Sequence, residues 1–306
     1  MQLMPDIFED GDELEFKVEE QYDGMSVNHF LRRHCGVSAR LLAKLKRTEN
    51  GITRSGAAIR SIDILHSGDI VCLTMPDDTN EIIPVNIPVE IVFEDEWIIV
   101  FNKPPYMPVH PVHTHQYDTL ANAAAYYSRS KGETYAFRAV NRLDRDTSGL
   151  VLCAKNSYAA TFLSRNTNKV YTALCEGILC GSGTINKAIR LKEGHTMQRE
   201  TADDGVNAIT HYQVLRSEQN HTLAEFRLET GRTHQIRVHM SSIGHPLAGD
   251  DMYGGSTRYF DRQCLHCSEL ALIHPYTKEK LCIVNKGEDW LAELKNKIGK
   301  IGSENF

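Results

Sequence analysis

The sequence predicts an α+β protein, with a large domain on a mixed, largely antiparallel central sheet preceded by a small, basic helix-helix-strand unit. Three observations support this. After residue 89, apolar strand-like runs are interspersed with helical ones without strict β-α-β alternation. Between Arg32 and Arg60 the chain carries eight Lys or Arg against one acid, although its overall net charge is −6. A Pro- and Asp-rich stretch, 75–88, lies between the two parts and reads as a linker. The expected division is therefore 14–74, the linker 75–88, and 89–297.

Composition narrows the function classes. With 306 residues, 41% hydrophobic and 24% charged, the chain has length enough for a substantial core. No apolar run approaches the roughly 20 residues of a membrane-spanning helix. The N-terminus is acidic and lacks the apolar segment of a signal peptide, so a cytoplasmic protein is expected. The eight cysteines sit mostly in apolar runs and read as buried free thiols. No Gly-rich phosphate loop, dinucleotide fingerprint or Gly-x-Ser-x-Gly elbow is present. Cys264-Leu265-His266-Cys267 resembles half of a zinc site, but no second half follows at compatible spacing, so no metal is expected.

Along the small unit, residues 1–13 read as a loose acidic tail, and an alternating strand begins near Leu14. Ser26 is placed to cap one helix and Ser38 a second. In the second helix Leu41, Leu42 and Leu45 form the apolar side. Arg40, Lys44 and Arg47 fall on the other side at i, i+4 and i+7. Asn50-Gly51, Ser55-Gly56 and Ser67-Gly68 mark turns around short strands. Together with Arg32 and Arg33, the basic face is suited to neutralising phosphates. The plain alternative is a solvated helix face.

In the large part, Val89–Phe93 and Trp97–Phe101 read as a hairpin-like pair. Asp118 is the expected cap of a helix to Tyr127, and Ser157 of a helix to Arg165. Strands are expected at 169–177, 209–215, 223–228, 265–273 and 281–284. A helix is expected over 233–243, ended by Gly244, and a short final helix over 290–294.

Chemistry concentrates in two strings. The first is Asn141-Arg142-Leu143-Asp144-Arg145-Asp146-Thr147-Ser148-Gly149, which places Asp144 between two arginines just before an apolar strand. A carboxylate beside guanidinium is expected to be ionised, and so to serve as nucleophile or general base. The same string also fits an ordinary ion pair bracing a turn. The second is Gly231-Arg232-Thr233-His234-Gln235-Ile236-Arg237, a helix start rich in anion-binding groups.

These strings, with Asn102-Lys103-Pro104, Lys169-Val170-Tyr171-Thr172-Ala173 and Gly244-His245-Pro246-Leu247-Ala248-Gly249-Asp250, closely resemble the RluA-type pseudouridine synthases. Residues 26–71 are similar to the small RNA-binding domain first named in a ribosomal small-subunit protein. The resemblance implies an isomerase that converts uridine in RNA to pseudouridine without cofactor or metal. It implies Asp144 as the catalytic aspartate, Arg237 as its partner and Tyr171 as the ring against the uracil. Arg142 would fill the place of the extruded nucleotide or contact phosphate, since a base must leave its stack to be reached. Arg232, His234 and Lys103 would support the substrate. Arg32, Arg33, Arg40, Lys44 and Arg47 would contact RNA, and a monomer is expected. One departure is Asn141, where the family usually has His. Large-subunit ribosomal RNA is the leading target, because of the RNA-binding domain in front. A transfer RNA is second, and a non-catalytic RNA-binding or ribosome-assembly factor is the rival from another class.

Overall fold

The protein is described by a computed structural model covering residues 7–10, 13–75, 82–133 and 135–303. Residues 1–6 and 11–12 of the expected tail and 76–81 of the expected linker lie outside these. The chain begins with β1 (Ile7–Asp10) and β2 (Glu13–Lys17), paired antiparallel. The expected loose tail is thus corrected for residues 7–10. Backbone pairing, which a sequence pattern so short and acidic does not announce, makes them a strand.

Helix α1 (Val27–His29) starts where Ser26 Oγ accepts the His29 amide, and it widens through Phe30–His34, with the Cys35 amide reaching back to the Phe30 carbonyl. Helix α2 (Ala39–Leu45) is capped by Ser38 Oγ, which accepts from the Leu41 amide at 3.1 Å. Leu41, Leu42 and Leu45 are buried, while Arg40 and Lys44 are exposed, as the helical period requires. Arg47 lies past the helix end but is also exposed, as are Arg32 and Arg33. Strands β3 (Ile52–Arg54), β4 (Ala57–Ala58) and β5 (Ile70–Thr74) complete a sheet of order β1-β2-β5-β3-β4.

Residues 82–88 lie against the next helix, where Asn122 Nδ2 donates to the Ile83 carbonyl at 2.8 Å. The large part then supplies β6 (Glu90–Glu94), β7 (Ile98–Lys103), α3 (Leu120–Ser130), β8 (Arg138–Ala139), β9 (Ser148–Ala154), α4 (Ser157–Leu163) and β10 (Thr167–Glu176). It continues with β11 (Ser182–Asn186), β12 (Ile189–Leu191), β13 (Arg199–Thr201), β14 (Ile209–Glu218), β15 (His221–Leu228) and α5 (Gln235–Ser242). Last come β16 (Leu265–Ile273), β17 (Lys280–Val284) and α6 (Glu288–Ser303). The main sheet runs β11-β14-β15-β10-β16-β9-β7-β6, with β17 on β16 and β8 on β9. Only β16 and β9 pair in parallel among these described strands, which makes the sheet mixed and largely antiparallel. All seven residues of β9 are buried, so its run is continuously apolar or small instead of alternating.

The two sheets share a core. Phe16 of β2 meets Tyr158 of α4 edge to face at 6.0 Å, and both are fully buried. Burying such a ring contributes about 1.5–3 kcal/mol, enough to fix one sheet on the other side's helix. Among the described residues, no helix is long and apolar enough to cross a membrane.

Several boundaries differ from the sequence expectation. Thr119, not Asp118, caps α3, because Thr119 and Asn122 form a reciprocal capping box while Asp118 bonds His115 at 2.6 Å. Asn156, not Ser157, caps α4, its Oδ1 accepting the Ala159 amide at 2.8 Å. Helix α5 begins at Gln235, since His234 adopts a left-handed conformation with φ 57°. Helix α6 is 16 residues long, because Trp290, Leu294 and Ile298 extend its apolar stripe. The sequence does not predict strands β11, β12 and β13, their apolar residues being too sparse to alternate.

Candidate active site

The site is built on the turn that leads into β9. The Thr147 amide donates to the Asp144 carbonyl at 3.1 Å and closes the turn. Two residues on, Gly149 pairs with Cys267 of the parallel strand β16. Its φ is +111°, and a Cβ there would stand 2.3 Å from the Cys267 carbonyl oxygen, so only glycine fits. The turn is therefore pressed against β16 by backbone contact.

Two side chains hold it from behind. Lys103, at the end of β7, is fully buried, and its ammonium donates to the carbonyls of Pro104, Met107 and Arg145 at 2.9, 2.8 and 3.0 Å. Burial lowers its pKa to about 7 against the opposing pull of Asp146 and Asp144. Asn141 is buried as well. Its Oδ1 accepts the Leu152 amide at 2.8 Å and its Nδ2 donates to the Leu150 carbonyl at 3.0 Å. A neutral amide supplies both a donor and an acceptor, so this position needs no charge.

Strand β16 lies between β9 and β10, which brings Tyr171 beside Asp144. Tyr171 also pairs with Cys267, just after a register shift between Val170 and Tyr171. A shift of this kind re-aims the side chain that follows it. Asp144, Tyr171, Arg142, Leu228, Arg232 and His234 line one small cleft. Burial pushes the Tyr171 phenol well above its ordinary pKa, so it stays neutral.

Helix α5 enters from the opposite side. Gln235 anchors its first turn: its Oε1 accepts from the Arg232 amide and Thr230 Oγ1, and its Nε2 donates to the Ile209 carbonyl and Thr210 Oγ1. Two residues on, Arg237 is 5% exposed and meets two carboxylates. Its Nη1 donates to Asp144 Oδ2 at 3.1 Å, across 93 positions of chain. Its Nε and Nη2 donate to Asp250 Oδ2 and Oδ1 at 2.7 and 2.8 Å. Burial alone would weaken the guanidinium's charge, but the bonds and fields of Asp250, then Asp144, outweigh it and raise its pKa. The Arg237 guanidinium also lies 5.0 Å from the centre of the Tyr253 ring.

The structure thus brings Asp144, Tyr171, Arg237, His234, Arg142 and Arg232 to one place. Arg142 and Arg232 are exposed at its mouth. Lys103 does not join them: full burial removes it from any substrate, and it acts by fixing the turn. Arg145, which flanks Asp144 in sequence, turns instead to Asp146 at 2.7 Å. Cys264, His266 and Cys267 do not assemble a ligand set, since both His266 ring nitrogens are engaged, with Ser148 Oγ and the Asn285 carbonyl. Asp250 and Tyr253 belong to the site but had no role in the sequence reading. Asp250 lay inside a quoted string, and only its partner, 13 positions away, reveals its use. Elsewhere, a larger open cleft around Glu94, Lys131 and Lys155 has its charges paired with one another.

Residues 97–242 match the RNA pseudouridylate synthase family. An uncharacterized RNA pseudouridine synthase of Bacillus subtilis (strain 168) is 38% identical over 242 residues, covering 76% of this chain and 79% of that protein. The ribosomal large subunit pseudouridine synthase D of Pseudomonas aeruginosa is 39% identical over 246 residues, covering 74% of this chain and 77% of its own. Among solved structures, human RNA pseudouridylate synthase domain containing 1 superposes with a TM-score of 0.52 at 27% identity, covering 65% of this chain and 83% of that one. With the fold and these relatives in agreement, the chain belongs to the RluA-type RNA pseudouridine synthases.

Proposed function

We propose that this pseudouridine synthase modifies uridine in large-subunit ribosomal RNA, with Asp144 as the reacting carboxylate. The observation that carries the reading is the Asp144–Arg237 contact of 3.1 Å at the floor of a cleft shared with Tyr171. An ionised carboxylate attacks the ribose at C1′ or removes a proton at C2′. Either route cleaves the bond from C1′ to N1 of uracil. The uracil turns and C5 bonds to C1′, displacing the Asp144 carboxylate on the first route or with Asp144 returning its proton to C2′ on the second; the C5 proton then leaves and N1 takes up a proton. Atoms balance without an external reductant or oxidant. The uracil lies against the neutral Tyr171 ring, which excludes water from the intermediate. Reaching it requires the nucleotide to leave its stack, and exposed Arg142 is placed to occupy the gap.

The choice of ribosomal RNA is supported by relatives named for the large ribosomal subunit. The exposed row of Arg32, Arg33, Arg40, Lys44 and Arg47 on the small unit suits a structured polyanion. Arg54 and Arg60 of the same unit are tied to Asp69 and Asp63. The protein acts as a cytoplasmic monomer on this reading. The test is pseudouridine mapping of ribosomal and transfer RNA with and without the gene. A site lost from 23S-type RNA supports the reading, and a site lost only from transfer RNA overturns the target.

A further inference from the structure

A hydrogen-bonded path runs from the site to the hairpin β12–β13. The Arg199 backbone amide donates to Tyr253 Oη at 2.9 Å. Tyr253 Oη stands 2.8 Å from His234 Nδ1. His234 Nε2 stands 3.8 Å from Asp144 Oδ2, beyond hydrogen-bond reach but close enough for its charge or dipole to be felt. His234 is 9% exposed and sits in left-handed backbone, with its side chain capping nothing.

The direction of these bonds follows from donor counting. A phenol has one proton and two lone pairs. The Arg199 amide fills one lone pair, so Tyr253 is best satisfied by giving its proton to His234 Nδ1. A neutral imidazole that accepts at Nδ1 carries its proton at Nε2, and Nε2 is the atom facing Asp144. Burial keeps this ring neutral, lowering its pKa. Asp144 and Asp250 pull the other way, and Arg237 and Arg199 reinforce the burial.

We propose that Tyr253 is a positioning residue for the reaction. Its hydroxyl fixes the Nε2–H tautomer of His234, so that an N–H dipole instead of a lone pair faces the Asp144 carboxylate. The hairpin β12–β13, through the Arg199 amide, holds the hydroxyl in that role. The inference rests on Asp144 being the reacting carboxylate.

Long-range proton–nitrogen correlation of the histidine rings in the wild-type protein tests it directly. The His234 signal is assigned by its disappearance in His234→Asn, since Asn tolerates left-handed backbone. A protonated Nε2 with an accepting Nδ1 is expected, and a protonated Nδ1 overturns the proposal. Tyr253→Phe keeps the ring under Arg237 and removes only the hydroxyl. In that variant we expect mixed tautomers, kcat lowered about 10-fold with KM nearly unchanged, and an acid limb of kcat moved to higher pH. An unchanged tautomer in Tyr253→Phe, with turnover lost in Asp144→Asn, overturns this inference alone. Full turnover in Asp144→Asn overturns the reading beneath it.

Discussion

Arg237 is bound more tightly to Asp250 than to Asp144: two bonds of 2.7 and 2.8 Å tie it to Asp250, and one of 3.1 Å to Asp144. Asp250 is 1% exposed, so the pair is a buried ion pair that orients the guanidinium. Removing one partner of such a pair leaves an uncompensated charge. Asp250→Ala is expected to cost about 3–5 kcal/mol and to lower Tm by roughly 10 °C. Calorimetry measures it, and a Tm within a degree of wild type would show that the pair does not hold the site.

Asp144→Asn keeps shape and removes charge. Release of tritium from RNA labelled at uridine C5 is expected to fall by at least about 10³-fold. RNA affinity should stay within a few-fold, because Asp144 is half-buried at the cleft floor. Normal turnover by this variant would remove Asp144 from the chemistry.

Lys103 carries a pH signature. Its pKa falls from an ordinary 10.5 to about 7 on folding, through burial. Between those values the unfolded chain binds more protons than the folded one, so stability rises with pH across that window. The folding penalty is fully present below the lower value and is relieved above the upper one. Lys103→Met should abolish this rise. Urea titrations of both proteins from neutral to alkaline pH would settle it, parallel curves counting against the buried ammonium.

Charge reversal at Arg40 and Lys44 should weaken RNA binding and flatten its salt dependence. Each lost phosphate contact reduces the slope of log K against log salt by about 0.7–0.9. Filter binding at several salt concentrations reads the slope. A slope equal to wild type would place the RNA elsewhere.

Sequence and structure agree most where one residue type answers a local need. Ser26 and Ser38 announce their helices because their hydroxyls bond amides three residues on. Leu41, Leu42 and Leu45 announce the buried face by their period. Local signals mislead where two candidates compete, as at Asp118 and Thr119, where the winner is set by Asn122 and the loser by His115. In the site, the flanking Arg145 pairs with Asp146, and the contact to Asp144 comes from Arg237, which the family resemblance implies and the local string does not. Asp250 and Tyr253 act through bonds to residues far along the chain, so no local pattern could assign their roles. The resemblance gives Lys103 a role in supporting the substrate, and only its three carbonyl partners show it to be internal.

The position of β16 has a consequence for how the enzyme is made. This strand begins at Leu265, yet it lies between β9 and β10, which end at Ala154 and Glu176 and so leave the ribosome well before it. Asp144 and Tyr171 therefore cannot take up their mutual geometry before β16 has emerged; until then the sheet has a gap between β9 and β10. Synthesis itself delays the onset of activity. A nascent chain stalled before Leu265 would hold both side chains and remain inert toward the RNA around it.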